Sequence, residues 1–306
     1  MTPQKFIIGP LDKFGTSRPE ASRAEKAGGE LAKLPWAHLR LPPFPQVAVR
    51  VMQLASNDNV QLPQLSELIA SDPAFASEVL TVANSMLYSL RYPANSIQQA
   101  IAVLGANTLQ GVCITVGVRA YLGKAMSLPA MRRLWHHNLA SAIIAQRLAA
   151  GGAIDKDLAY TCGILHDIGR IAFAVIQPRD YAALLETHQG SPASILGRES
   201  ELFGWDHCEA GQQMLADWKL PAAFDAAVFD HHAPRRPDGA WEVAELVKMS
   251  CRMADAAGFA AFAGCEAKAY PELLDELPQR ERSLFYPELE RLAVEVAAGI
   301  HAVESI

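Results

Sequence analysis

The sequence predicts an all-α protein built as a multi-helix bundle. Apolar residues recur at helical spacing along most of the 306 residues, and almost no stretch alternates like a strand. Helix-start signals such as Ser71-Asp72-Pro73 and helix-stop signals such as Gly151-Gly152 divide the chain into short helices. Hydrophobic residues make up 50% of the chain and charged residues 20%, so a chain of this length can bury a sizeable core.

Composition excludes several classes of protein. The net charge of −6 gives no global basic field that would attract nucleic acid. The five cysteines are odd in number, widely spaced and without a CxxC pair, which is typical of reduced thiols in a cytosolic protein. The N-terminus lacks a signal-peptide layout, and no apolar run approaches the roughly 18 to 20 residues that span a bilayer without charge or polar interruption. We therefore expect a cytoplasmic protein that binds neither nucleic acid nor membranes.

The first part of the chain is predicted to be a weakly ordered leader followed by a helical subdomain. Residues 1–37 mix Pro, Gly, Ser and charges, whereas residues 38–125 show amphipathic helices. In Ser71-Asp72-Pro73 a polar cap precedes Pro at the first helical position, where its missing N–H costs nothing. The predicted helices are 46–55, 62–70, one from Pro73 to about 84, 97–104 capped by Ser96, and one that Asn107 could cap.

Leu128-Pro129 marks the next boundary. It opens a second helical subdomain, about residues 126–258, and a C-terminal helical extension, 259–306, follows. Gly151-Gly152 ends its long first helix, because glycine favours the helix C-terminus. The predicted helices are 130–150, one from Asp157 with His166-Asp167 at its far end, 173–181 interrupted at Pro178, 194–203, 207–218, one from Pro221 to His231-His232, 241–257 and 287–303.

An adjacent His166-Asp167 pair inside an apolar run is the first candidate for chemistry. Burying an imidazole beside a carboxylate is costly unless each finds a partner or binds a cation, although an isolated pair more often only ends a helix. The other candidates also lie near helix ends or on helices. His/carboxylate mixtures suit borderline divalent metals, and one carboxylate could bridge two ions. These further candidates are His136-His137, His207, His231-His232 and Asp255.

Several stretches resemble a known family. LWHHNLA at 134–140, GILHDIG at 163–169, FGWDH at 203–207 and HHAP at 231–234 resemble the HD superfamily of metal-dependent phosphohydrolases. Within it the chain is similar to the HDOD group, the HD-related output domains of bacterial signalling. That narrower resemblance covers about residues 38–258 and rests on upstream runs: LPPFP at 41–45, IASDPA at 69–74, VANS at 82–85, and SIQQA at 96–100 with the Leu104-Gly105 that follows.

The resemblance implies an HD-like fold for residues 126–258 and a set of metal ligands. A first ion would be bound by His137, His166, Asp167 and Asp255. A second ion, bridged by Asp167, would be bound by His207, His231 and His232, as in the two-metal HD-GYP subgroup. The implied cofactor is one or two divalent transition-metal ions, Fe, Mn or Zn. Of the two adjacent histidines we expect His137 to point inward and His136 to face solvent, and His232 could instead support a ligand.

Two departures from the family bear on activity. The Gly-Tyr-Pro signature of cyclic di-GMP phosphodiesterases is absent after His231-His232, so that activity is not predicted. Many HD hydrolases carry a lysine where this chain has Arg170. An arginine stays protonated, so Arg170 fits phosphate binding or a structural ion pair better than acid catalysis. If the protein is an enzyme, Asp167 and Arg170 are the candidate catalytic residues.

The resemblance therefore implies a bacterial signal-transduction module that acts mainly through protein partners, the signalling proteins. Two alternatives stay open. One is a metal-dependent phosphohydrolase acting on a nucleotide or another phosphoester. The other is a nucleotide sensor that binds its ligand without hydrolysis.

Overall fold

The computed structural model describes residues 43–55, 62–152, 154–234 and 241–304, which lie within one compact unit. The predicted all-α fold is confirmed. Strand structure in the described ranges is limited to β1, Gln189–Gly190, and β2, Gly264–Cys265, which pair in parallel. The leader predicted for residues 1–37 lies outside the described residues. The subdomain boundaries near residues 125 and 258 stay predictions.

The first five helices begin and end close to the predicted residues. Asp72 caps α3 by accepting hydrogen bonds from the backbone N–H groups of Ala74 and Phe75, with Pro73 at the first helical position. Ser96 caps α4 as predicted. The cap predicted at Asn107 is wrong, because α5 begins one residue earlier, directly after Gly105. The helices are α1 Gln46–Ala55, α2 Leu62–Ala70, α3 Pro73–Ala83, α4 Ile97–Leu104 and α5 Ala106–Leu122.

The remaining helices show two clearly misplaced boundaries. The helix predicted from Pro221 to His231-His232 is the shorter Asp225–Phe229, so both histidines lie in the turn that follows it. The segment predicted as 173–181 is two helices, and the first of them begins directly after Asp167. Two short helices after residue 269 were not predicted. The helices are α6 Pro129–Ala149, α7 Lys156–Leu165, α8 Ile168–Ile176, α9 Pro178–Thr187, α10 Ile195–Phe203, α11 His207–Asp217, α12 Asp225–Phe229, α13 Val243–Ala256, α14 Tyr270–Glu276, α15 Gln279–Arg282 and α16 Leu289–Glu304.

Close helix packing brings the second half together. α6 lies between α7 and α13, and α8 packs on α11. Glycines allow these contacts: a Cβ on Gly163 would lie 2.6 Å from Ala142 Cα, and one on Gly169 would lie 2.0 Å from the His207 carbonyl oxygen. Since α8 begins at the His166-Asp167 turn and α11 begins at His207, this packing sets the distance between these side chains.

One apolar stretch passes a simple test for a membrane span. Lys156–Ile176 is 21 residues long and apolar enough on average, although charged and polar residues interrupt it, as the sequence analysis expects of every such run. It comprises α7, the His166-Asp167 turn and α8, and 89% of its apolar window is buried inside the protein. A core helix passes the same test, so this stretch is weak evidence for a membrane span.

Candidate metal centre

Five histidines from four parts of the bundle converge on Asp167, and we call these six residues the Asp167 cluster. α6 supplies His137, the turn between α7 and α8 supplies His166 and Asp167, and the first residue of α11 is His207. The turn after α12 supplies His231 and His232. All are buried except His232, which is partly exposed. The structure thus brings together six of the seven predicted ligands, namely His137, His166, Asp167, His207, His231 and His232.

Hydrogen bonds fix the orientation of four of the imidazoles. Nδ1–H of His137 donates to the Phe259 carbonyl oxygen at 2.7 Å, and that of His166 donates to the Gly163 carbonyl oxygen at 2.7 Å. His231 and His207 are held in the same way: their Nδ1–H groups donate to the Val228 carbonyl oxygen at 2.8 Å and to Glu199 Oε2 at 2.5 Å. A carbonyl oxygen can only accept, so in the neutral rings Nε2 carries the lone pair. This anchoring is typical of metal-binding histidines.

The two oxygens of Asp167 face two different histidine pairs. Oδ1 lies 3.3 Å from His207 Nε2 and 3.2 Å from His231 Nε2, and these two nitrogens are 3.2 Å apart. Oδ2 lies 3.7 Å from His137 Nε2 and 3.6 Å from His166 Nε2, and this second pair is 3.3 Å apart. Tetrahedral zinc with nitrogen and oxygen ligands places neighbouring ligand atoms about 3.3–3.4 Å apart. The spacing therefore fits two ions bridged by Asp167.

The hydrogen-bonding state of these atoms also fits a cation. Burial lowers the pKa of His137 to about 4 and that of His166 to about 3, so both rings are neutral near pH 7. Their Nε2 lone pairs then face each other at 3.3 Å with no proton between them. Neither oxygen of Asp167 accepts a well-aligned hydrogen bond from the described residues, and His232 Nε2 has no such partner there either. Buried polar atoms left in this state are costly unless a cation binds them.

Arg170 and Glu199 lie beside the Asp167 cluster and balance its charge. Arg170 Nε lies 3.0 Å from Asp167 Oδ2, and Nη1 lies 3.7 Å from Glu199 Oε1. Burial raises the pKa of Asp167, but Arg170 and His166 outweigh burial and hold it well below its usual value. Arg170 is itself buried, which matches the structural ion pair that the sequence analysis allowed.

Glu199 is a functional residue that the sequence analysis missed. Its carboxylate accepts hydrogen bonds from His207 Nδ1–H and from the Tyr181 hydroxyl at 2.7 Å. Although burial and Arg170 lower the pKa of His207, Glu199 raises it, and the net result is a pKa of about 10. A sequence signal existed: Glu199 lies four residues after Ile195 and four before Phe203, on the buried face of α10.

Replacing Glu199 by glutamine is expected to weaken metal binding about 10- to 100-fold, because its carboxylate orients His207 towards Asp167. The measurement is a metal titration of the chelated protein. Glu201→Gln is the matched control, since Glu201 is exposed on the same helix and pairs with Arg198. Equal affinities for the two variants would contradict the role given to Glu199.

Asp255, the seventh predicted ligand, lies behind His137 rather than with the converging atoms. Its Oδ1 is 3.4 Å from His137 Nδ1, on the side of the ring away from Nε2. Burial raises its pKa to about 8. The side chain that approaches Nε2 from α13 is Cys251, whose Sγ lies 3.5 Å away. The ligand role of Asp255 stays a prediction.

The other member of the adjacent histidine pair faces outward. His136 is partly exposed and its Nε2 lies 2.9 Å from Glu304 Oε1 on α16, whereas His137 is only 2% exposed. Helix geometry explains this division, since successive side chains on a helix differ by about 100°. The expected orientations of His136 and His137 thus match the structure.

The chain matches one protein-family model and is similar to a known bacterial protein. A family model described as HDOD domain matches residues 41–234. An uncharacterized protein of Treponema pallidum (strain Nichols) is 25% identical over 203 residues, 65% of this chain, and the chain spans 39% of that relative's length.

Two solved structures have a similar fold. An HDOD domain protein with unknown function from Geobacter sulfurreducens has a TM-score of 0.63 at 20% identity, covering 87% of this chain and 91% of that chain. A "Putative phosphohydrolase" from Shewanella amazonensis SB2B has a TM-score of 0.60 at 22% identity, covering 86% and 94%. At these identities the likeness shows the fold alone.

Proposed function

Because this chain belongs to the HDOD domain family, we propose that it binds one or two divalent transition-metal ions at the Asp167 cluster and hydrolyses a phosphoester in an adjoining cavity. The observation that carries the proposal is the convergence of two histidine pairs on the two oxygens of one buried carboxylate. The description of the Shewanella amazonensis neighbour as a phosphohydrolase agrees with it. A divalent ion bound there would act as a Lewis acid towards a phosphoryl oxygen.

The cavity next to the cluster has a size suited to a small ligand. It measures about 400 Å³, and its wall includes His231, His232 and Cys251. Cavities of roughly 300–1,000 Å³ typically hold small molecules and cofactors. Of the Asp167 cluster, His231 and His232 line the cavity, so a substrate would approach the metal centre past these two side chains.

The charged residues of the cavity hold one another in place. Lys248 Nζ lies 2.6 Å from Glu245 Oε1, and Arg252 makes a two-pronged ion pair with Glu276 at 2.6 and 2.7 Å. Each cation is thus balanced by a carboxylate. We infer that the cavity by itself attracts a phosphate weakly, and that binding of a phosphoester depends on the ions at the Asp167 cluster.

The chain's own residues would orient the reaction rather than donate protons. Arg170 lies between Asp167 and Glu199 and keeps its proton, so it positions Asp167 and does not act as an acid. Glu199 positions His207 in the same way. His231, Lys248 and Arg252 line the cavity and would contact a substrate bound there.

We expect turnover of a nucleotide and phosphoester panel with Mn²⁺ or Fe²⁺, and its reduction to background in a His166→Ala/Asp167→Ala variant. The double change removes His166 from one histidine pair and the carboxylate that faces both pairs. Product release is measured on protein purified without a histidine tag, with Glu201→Gln as the folded control. Activity that survives the double change would come from a contaminant, and the hydrolase proposal would fail.

One observation favours a second function, a regulatory module that acts through signalling proteins. Arg170 Nε lies 3.0 Å from Asp167 Oδ2 and His207 Nδ1 lies 2.5 Å from Glu199 Oε2, so both buried carboxylates already face a cation or a hydrogen-bond donor of the chain itself. A module of this kind would bind a partner without turning over a substrate. It would be favoured if the panel gave no product while removal of metal left the unfolding temperature unchanged. Saturable nucleotide binding without product would instead favour a sensor.

A further inference from the structure

Cys251 lies where a further ligand of the first metal site would be. Its Sγ is 3.5 Å from His137 Nε2, and His137 Nε2 is 3.3 Å from His166 Nε2. These three ligand atoms all lie within 4.8 Å of one another, and all three residues are buried. Cys251 also borders the cavity. The thiol is therefore part of a cluster of potential ligands and not an isolated cysteine.

The carboxylate of Asp255 lies on the opposite side of the same imidazole. It approaches Nδ1 of His137, whose hydrogen is already donated to the Phe259 carbonyl oxygen. The two nitrogens of an imidazole point in different directions, so a group beside Nδ1 cannot share an ion with Nε2 unless it moves. A carboxylate in that position supports the orientation of the imidazole by contact with its Nδ1 edge, beside the hydrogen bond to the Phe259 carbonyl oxygen.

The spacing of the three atoms agrees with mixed nitrogen and sulfur ligation. With zinc–nitrogen distances of about 2.0–2.1 Å and a zinc–sulfur distance of about 2.3 Å, a tetrahedral site has N···N edges of about 3.3–3.4 Å and N···S edges of about 3.5–3.6 Å. The observed distances are 3.3 Å between the two nitrogens and 3.5 Å between nitrogen and sulfur. Asp167 Oδ2, at 3.6 and 3.7 Å from the two nitrogens, would supply the fourth atom.

We propose that the first metal ion is bound by His137, His166, Asp167 and the thiolate of Cys251, and that Asp255 is a positioning residue for His137. This inference rests on the proposed metal centre and specifies its chemistry. The thiol releases its proton to solvent when the ion binds. Because thiolate is a soft ligand, the site selects zinc, cobalt or ferrous iron over manganese and magnesium.

The test is cobalt substitution of the intact 306-residue chain, followed by absorption spectroscopy. Co²⁺ bound to a thiolate gives an intense charge-transfer band in the near ultraviolet, which nitrogen and oxygen ligands do not give. We expect the band in the wild type and in Asp255→Asn. We expect it to disappear in Cys251→Ser and Cys251→Ala, with cobalt affinity at least about 10-fold lower. Cys113→Ala, which removes a buried thiol from α5, is the control and should keep the band.

The outcomes separate this inference from the proposed metal centre. Cobalt bound stoichiometrically without the band would leave the metal centre in place and overturn the role of Cys251. A band that persists in both Cys251 variants would assign the thiolate to another cysteine and overturn it as well. Failure of the wild type to bind cobalt or any other divalent transition metal would overturn the metal centre itself.

Discussion

Replacing Gly169 by alanine is expected to lower the free energy of unfolding by about 3 kcal/mol and to weaken metal binding. A Cβ at this position would lie 2.0 Å from the His207 carbonyl oxygen and 2.7 Å from the Gly211 amide nitrogen. Both atoms belong to the backbone of α11 and cannot rotate away. α8 and α11 would have to separate, which moves His207 away from Asp167.

Urea unfolding and a metal titration measure the two effects. Gly197→Ala is the matched control, because Gly197 lies in α10 and an added Cβ there would meet nothing within 4 Å. The control should be neutral or more stable by up to about 1 kcal/mol, since alanine favours a helix over glycine. If Gly169→Ala unfolded at the wild-type urea concentration, the close contact between α8 and α11 would be disproved.

Asp167→Asn is expected to abolish binding of both ions and to destabilise the metal-free protein by about 3–5 kcal/mol. Asp167 faces both histidine pairs, so its loss removes the ligand that the two ions would share. It also pairs with Arg170, which would be left buried with Glu199 3.7 Å away. A buried charge that loses its partner is far more costly than a pair replaced as a whole.

A second variant separates the two effects. Asp167→Asn/Arg170→Met removes both members of the ion pair, so it should recover most of the lost stability without recovering metal. Stability is measured by urea unfolding after chelation, and metal content by elemental analysis. If the single and double variants were equally stable, Arg170 would not depend on Asp167. Metal retained by Asp167→Asn at wild-type stoichiometry would refute the bridging role.

Local signals were enough for most of the helices. Asp72 and Ser96 form the expected caps, because a cap depends on residues that are neighbours in sequence. The cap predicted at Asn107 failed because of another local residue, Gly105. The chain turns at this glycine, whose φ of 85° suits glycine, and α5 begins at the next residue. The boundary after Asp167 was missed because α7 and α8 form a nearly continuous apolar run.

The residues of the candidate site also fall into those that local sequence signals could identify and those that they could not. The histidines and Asp167 could be identified because adjacent metal-capable residues in apolar runs are unusual, and the resemblance related them. Arg170 could be singled out by its place in the family motif, whereas Glu199 could be seen only as a charge on an apolar helix face. Their pairing joins α8 to α10, which no local pattern specifies.

By itself the sequence determined the all-α class, most helix positions, and the histidines and Asp167 of the candidate site. These depend on hydrophobic periodicity and caps, which act over a few residues. The tertiary structure decided which atoms converge. Cys251 and Asp255 lie one turn apart on the same face of α13, so the sequence could not choose between them. Only the packing of α13 on α6 sets the thiol against Nε2 of His137 and the carboxylate against Nδ1.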